Sequence, residues 1–99
     1  MEELNNKIDT WFHDRGIVEN GNQLGQAVKM FEEATEVLDA ISTWDNDALI
    51  DAIGDTYVTL RGLALVSDLN FEACVNSAYN EIKDRKGYLR EDGVFVKEV

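Results

Sequence analysis

The sequence predicts an all-α fold: four helices with a short hairpin-like tail, assembled as an oligomer. Three observations carry this. Apolar residues recur at helical spacing in four separate stretches, no proline interrupts them, and the joining segments are short enough to favour antiparallel neighbours. Strand-forming residues are scarce until the last dozen positions. The 99 residues fit one domain, 1–99, near the lower end of what buries a self-sufficient core.

The first helix is expected from about Glu3 to His13, with Leu4, Ile8, Trp11 and Phe12 on one side. "RGIVENGN" reads as a loop, marked by Gly16 and the Asn20-Gly21 pair. The second helix starts near Gln23 behind Asn22 as N-cap and runs to about Ser42. Its core stripe is read as Leu24, Ala27, Val28, Phe31, Ala34, Leu38 and Ile41. "STWDND" breaks the period, and Asp45 or Asp47 can cap a third helix over about Ala48 to Val66. "SDLN" then turns the chain into a fourth helix from about Phe71 to Lys86, closed by Gly87 at the C′ position. In "GYLREDGVFVKEV" the period drops to two, and Asp92-Gly93 fits a tight hairpin turn. A lone hairpin is marginal in water, so this one is expected to lie on the bundle or on a partner subunit.

Composition narrows the function. The net charge of −11 argues against a nucleic-acid binder, which needs basic surface to neutralise phosphate. It fits solubility, cation binding or mimicry of a polyanion. Five of the nine basic residues (Lys83, Arg85, Lys86, Arg90 and Lys97) lie in the last seventeen positions, which suggests an anion contact or cations drawn to a helix C-terminus. The acidic, polar start does not resemble a secretory signal, and no apolar run reaches the roughly 20 residues of a membrane span. A soluble, cytoplasmic chain without membrane contact is expected. Cys74 has no disulfide partner and sits in an apolar-patterned stretch, so a buried, reduced thiol is expected.

"KMFEEATEVLDA" places Glu32, Glu33, Glu36 and Asp39 on one helix, with only Lys29 to relieve them. Like charges three and four apart cost roughly 0.2–0.5 kcal/mol per pair. A solvated acidic face would explain this helix alone. The third helix changes the argument: it is apolar almost all round, and its only acids, Asp51 and Asp55, share one face beside the small Ala48, Ala52, Thr59 and Gly62. Isolated buried carboxylates are costly unless something cationic compensates, and the one basic residue of that helix, Arg61, lies on another side. Carboxylates facing one another across two helices make an all-oxygen site suited to Mg²⁺, with Mn²⁺ as a substitute. A di-iron bundle requires Glu-x-x-His motifs, and the single histidine, His13, lies on the first helix.

Those segments together, "KMFEEATEVLDA", "LIDAIGDTYVTL", "AYNEIKDRKG" and the closing "DGVFVKE", resemble MazG-type nucleotide pyrophosphohydrolases, particularly small single-domain members of phage genomes. The resemblance covers roughly residues 10 to 97 and implies a MazG-like α-helical bundle working as a homodimer or a dimer of dimers. It implies Mg²⁺-dependent cleavage of nucleoside triphosphates between the α- and β-phosphates, giving a monophosphate and pyrophosphate. The family's Glu-Glu-x-x-Glu falls on Glu32, Glu33 and Glu36, and the closing Asp of its second motif on Asp55. Its Glu-x-x-Asp meets Ala52 in place of the Glu, with Asp51 one residue earlier as the substitute.

The resemblance thus implies metal ligands Glu33, Glu36, Asp51 and Asp55, with Glu32 or Glu33 accepting the proton of the attacking water. Asn80, Lys83, Arg85 and Lys86 are candidate triphosphate contacts. Gln26 and Lys29 are candidate substrate contacts, Lys29 alternatively serving only to relieve nearby charge. Trp44 could stack on a base, with Trp11 or Phe12 as another wall or as core. The third helix is apolar on more sides than one small unit can cover, which also calls for a second copy. Two further readings stand beside the enzyme: a catalytically impaired nucleotide sensor of the same family, made conceivable by Ala52, and a non-enzymatic acidic binding protein such as a DNA mimic or an inhibitor of a basic partner.

Overall fold

The computed structural model describes residues 1–98. Among them run α1 (Glu2–Asp14), α2 (Ile17–Asn20), α3 (Gln23–Ser42), α4 (Asn46–Val66), α5 (Phe71–Ile82), β1 (Gly87–Leu89) and β2 (Phe95–Lys97). The all-α architecture is as expected, with the four long helices where apolar spacing predicts them. Three of them start on side-chain caps: Asn22 accepts from the Gly25 amide at 2.7 Å, Asp45 from Ala48 at 3.0 Å and Asn70 from Ala73 at 2.8 Å. Asp45 rather than Asp47 caps α4, which therefore begins at Asn46. No helix of the described residues is long and apolar enough to cross a membrane.

Four local expectations need correction. The segment read as a loop after α1 contains the single turn α2, because Ile17 and Val18 are half-buried and the turn packs on α4. Helix α5 stops at Ile82 instead of Lys86: Lys83 to Lys86 offer no apolar group to hold another turn, and the Lys86 carbonyl accepts from the Glu98 amide at 2.7 Å, drawing the chain into the hairpin. Gly87 accordingly lies in β1 rather than capping a helix. The tight hairpin turn at Asp92-Gly93 is as expected, on a loop of three residues. Arg90 bonds Val94 across the ladder, Gly93 closes a turn onto the Arg90 carbonyl at 2.9 Å, and the left-handed φ of 88° at Gly93 suits glycine. Cys74 is exposed, because α5 contributes no buried residue.

The most extensive contact is the antiparallel pairing of α3 with α4. It rests on small groups: Ala40, Ala52 and Thr59 are all buried. On α3 the side turned to α4 carries Met30, Glu33, Val37 and Ala40, all buried or half-buried. The expected stripe lies largely elsewhere. Leu24, Val28, Phe31 and Leu38 project from the opposite side, with 50–75% of their surface exposed. Helix α3 is therefore apolar on two opposed faces, and periodicity alone selects the wrong one.

Helix α1 is fastened to α4 by a buried guanidinium. Arg61, 6% exposed, donates Nε and Nη2 to the two Asp9 oxygens at 2.5 and 2.8 Å and Nη1 to Glu72 at 2.6 Å. Asn5 donates to Glu72 at 3.4 Å and accepts from the Tyr57 hydroxyl at 2.7 Å, so α1, α4 and α5 share one network. Arg61, which its own helix leaves unpaired, is thus compensated from two other helices.

The chain exposes 7646 Å². An average folded chain of this mass exposes about 5,700 Å². Its radius of gyration of 15.9 Å likewise exceeds the about 13 Å of a compact 100-residue domain. Arg61→Met should lower the unfolding free energy by about 3 kcal/mol, the low end for a buried pair because Asp9 keeps partial solvent access. Denaturant unfolding measures this, and Asp9→Leu added to Arg61→Met should recover most of the loss.

Candidate functional site

The register of α3 on α4 sets Glu33 and Glu36 against Asp55. Each offers a carboxylate oxygen within 4.8 Å of the others. Glu33 is buried, Asp55 half-buried and Glu36 exposed, so the cluster opens to solvent from one side. Lys29, one turn before Glu33, places Nζ 3.3 Å from Glu33 and 3.6 Å from Glu32. It is the one cation among the residues that line the adjoining cleft.

The electrostatics record repulsion that Lys29 relieves only in part. The Glu33 charge, then proton sharing with Glu33, pushes Glu36 above the usual carboxylate range. Burial first, then the charges of Asp51 and Glu33, pushes Asp55 up as well. The hydrogen bond to Glu33 and its charge keep Lys29 protonated beyond the ordinary lysine range. Carboxylates crowded so that their charged forms repel favour a cation among them.

Beside the cluster lies a cleft of about 580 Å³, walled by Trp11, Phe12, Ile17 and Val58 and floored by Gly25, Gln26, Lys29, Glu33, Asp55 and Thr59. Trp11 and Phe12 meet edge to face at 5.1 Å, and the Arg15 guanidinium lies 4.2 Å from the centre of the Trp11 ring. Gly62 permits this wall. A Cβ there would fall 2.4 Å from Phe12 Cζ and 2.7 Å from Gln26 Nε2, so any larger residue would push α1 or the Gln26 amide away from α4.

The predicted site residues therefore divide. Glu33, Glu36, Asp55, Gln26 and Lys29 converge on the cleft and its acidic edge. Asp51 is exposed and stands beside Asp55 without joining the three-carboxylate group. Glu32 is exposed, with its carboxylate toward Lys29. Ala52 is buried on the α4 side that packs against α3.

Trp44, Asn80, Lys83, Arg85 and Lys86 do not line the cleft in this chain. Trp44 ends α3 in a Schellman turn, with Asp45 N donating to Ala40 O at 3.1 Å and Trp44 N to Ile41 O at 3.2 Å. There it is 94% exposed with φ 55°, eleven residues beyond Glu33, roughly 16 Å along the helix. Arg85 and Lys86 border a separate hollow with Tyr88 and Phe95.

Sequence reasoning missed Ile17, hidden in the segment read as a loop. It also missed Val58, which looks like any other core residue. The small Thr59 and Gly62 were visible as space beside the aspartates.

The family model described as phosphoribosyl-ATP pyrophosphohydrolase matches residues 2–82. A protein of Haemophilus phage HP1 (strain HP1c1), described as an uncharacterized 18.2 kDa protein in the rep-hol intergenic region, is 31% identical over 64 residues. That match covers 65% of this chain and 39% of the phage protein, so the chain spans well under half of that relative's length. No solved structure matches.

Because Glu36 and Asp55 hold their protons to higher pH in the fold than in the unfolded chain, their contribution to stability is present below the ordinary carboxylate range. It is lost as pH rises through their elevated values. In EDTA, Glu36→Gln should therefore raise the melting temperature at neutral pH. The gain should shrink as pH falls below the raised range of Glu36, where the wild-type side chain is itself protonated. A variant that melts lower than wild type at neutral pH would contradict the repulsion.

Proposed function

The chain belongs to the phosphoribosyl-ATP pyrophosphohydrolase family, within the MazG-like all-α superfamily, and from that premise we propose that it hydrolyses nucleoside or deoxynucleoside triphosphates between the α- and β-phosphates. The products would be a nucleoside monophosphate and pyrophosphate, and the reaction would require Mg²⁺, with Mn²⁺ as a substitute. The single observation that supports this best is the meeting of Glu33, Glu36 and Asp55 at the edge of an aromatic-walled cleft of nucleotide size. An acidic mimic would display its carboxylates outward, whereas Glu33 is buried and paired with Lys29.

The donor set fits the proposed ion. All three groups offer oxygen, their mutual repulsion is relieved only in part by one lysine, and hard divalent cations prefer such ligands. Glu33, Glu36 and Asp55 would hold it, with Asp51 completing the set in place of the family's Glu at Ala52. When bound, such a cation supplies a water of lowered pKa and charge neutralisation for the triphosphate. The chain's own groups do the rest. Glu33 or Glu32 accepts the proton of the water that attacks the α-phosphorus. The α–β bridging oxygen departs with pyrophosphate. Lys29 offers a positive charge to the phosphates, while Trp11 and Phe12 give the base a stacking wall. Gln26, its amide packed near Gly62, lies where it can meet the base or sugar.

A homodimer belongs to the same reading, with a dimer of dimers as an extension. The outward stripe of α3 and the exposed Ile50 and Ile53 of α4 form an apolar surface that a second copy would cover. Trp44, Asn80, Lys83, Arg85 and Lys86 would act as substrate contacts only by reaching a neighbouring copy's cleft. The cytoplasm, where nucleoside triphosphates are held, is the setting this implies.

Incubation with each NTP and dNTP and with phosphoribosyl-ATP should release pyrophosphate with the matching monophosphate in Mg²⁺ and none in EDTA. Glu33→Gln should lower kcat by about 10²-fold or more, whereas Lys29→Ala should act mainly through KM. Release of single phosphate, or undiminished turnover by Glu33→Gln, would overturn the mechanism. Sedimentation should give a species at least twice the 11.2 kDa of one chain, and a monomer at micromolar concentration would remove the dimer.

A further inference from the structure

Among the described residues, Lys29 is the one cation that lines the cleft, and it is already engaged. Its Nζ stands 3.3 Å from Glu33 and 3.6 Å from Glu32, at the edge of the three-carboxylate group. Both separations exceed the about 2.7–2.9 Å of a tight charge-assisted hydrogen bond, so the ammonium is shared between two acids and locked to neither. The two acids differ. Glu33 is buried, with only 12% of its side-chain surface exposed, whereas Glu32 is solvated. An exposed pair such as Lys29 with Glu32 is worth little on its own, so it is Glu33 that draws Nζ inward.

Glu33 thus belongs to two sets at once. It is the buried member of the group that faces Asp55, and it is the carboxylate that Lys29 serves. A divalent cation seated among Glu33, Glu36 and Asp55 would meet the Lys29 charge beside the same carboxylate, and like charges at that range repel. Lys29 is able to withdraw. Its side chain is 55% exposed, and its four-carbon stem is flexible. The cleft it lines offers the place to go. Every other polar side chain lining it is neutral or acidic (Gln26, Thr59, Glu33 and Asp55), so a polyanion entering there finds no second positive group.

We propose that Lys29 exchanges partners: in the empty cleft it holds the place of the cation at Glu33, and when a divalent cation takes Glu33 it turns to the triphosphate. The inference rests on the proposed site chemistry and adds to it a coupling between ion and substrate. An ion arriving alone must displace Lys29 and gains less from the cluster. With a triphosphate present, the displaced ammonium finds a new anion, so each ligand favours the other. A lysine that only relieved charge would oppose the ion and be indifferent to the nucleotide. One that only contacted phosphate would do the reverse. Exchange requires both effects, with opposite sign, from one side chain.

The test measures each effect without turnover. Mn²⁺ binding to the full chain, in the absence of nucleotide, is followed by the paramagnetic resonance of the free ion in wild type, Lys29→Met and Lys29→Arg. Lys29→Met should bind Mn²⁺ about tenfold more tightly than wild type. Non-hydrolysable α,β-methylene analogues of the ribo- and deoxyribonucleoside triphosphates are then offered in saturating Mn²⁺ by equilibrium dialysis. Lys29→Met should bind the analogue that wild type prefers about tenfold more weakly. Lys29→Arg, which keeps the charge, should lie nearer wild type in both measurements. If Lys29→Met left either affinity unchanged, or if Lys29→Arg behaved as Lys29→Met, the exchange would be overturned and the reading of the site would stand. A wild type that takes no Mn²⁺, or takes it and none of the analogues, would defeat the reading of the site and the exchange with it.

Discussion

The close approach of α3 to α4 is the constraint on which the site depends. Alanine and threonine at the interface leave little volume between the helices, and this same closeness brings Glu33 opposite Asp55. Larger residues at Ala40, Ala52 or Thr59 would separate the helices and relieve the carboxylates together. The repulsion is therefore a consequence of good packing rather than a defect in it. Lys29 answers it in part, from within the same helix and one turn away, which is as near as a lysine can come without entering the cluster.

The cleft needs a second support. Trp11 and Phe12 stand on α1, which meets the rest of the chain chiefly along α4 and through α2. Arg61 fixes how α1 lies there. Its planar guanidinium engages both oxygens of Asp9, so it sets orientation as well as distance. Gly62, the next residue, gives Phe12 the space to sit against the helix. Two adjacent positions on α4 thus place the aromatic wall, one by a directed ion pair and one by having no side chain. Asp55, under two turns earlier on the same helix, faces the cleft they define.

Helix number, order and caps were legible because they depend on local spacing and on single polar residues. The acidic motif was legible for the same reason: Glu33 and Glu36 lie on one helix at neighbouring positions, and Asp55 is conspicuous in an apolar one. The rest depends on which face meets which. Helix α3 has two apolar sides, and nothing in its own periodicity tells that Met30, Val37 and Ala40 turn toward α4 while Leu24 and Phe31 turn away. Arg61 looked isolated because its partners, Asp9 and Glu72, are 52 and 11 residues distant. The end of α5 was misplaced because charged residues such as Lys83 and Lys86 extend a helix comfortably in isolation; only the pull of a β ladder several residues later ends it.

The carboxylate cluster also explains why so small a chain would retain a destabilising feature. A group that binds in the folded state alone stabilises it by RT ln(1 + [L]/Kd), about 2.7 kcal/mol at a hundred times Kd. Under the proposed chemistry, cation and triphosphate bind together at Glu33, Glu36 and Asp55, so the repulsion is greatest when the cleft is empty and reversed when it is filled. Removing the carboxylates would give a more stable empty protein with nothing to hold phosphate. Stability that is withheld until substrate arrives also favours binding the loaded state over the empty one. A fold with few fully buried apolar side chains, exposed stripes on α3 and α4 and a detached hairpin has little margin for such a site on its own. Under the proposed homodimer, the natural place to recover that margin is the apolar stripe that α3 and α4 leave exposed.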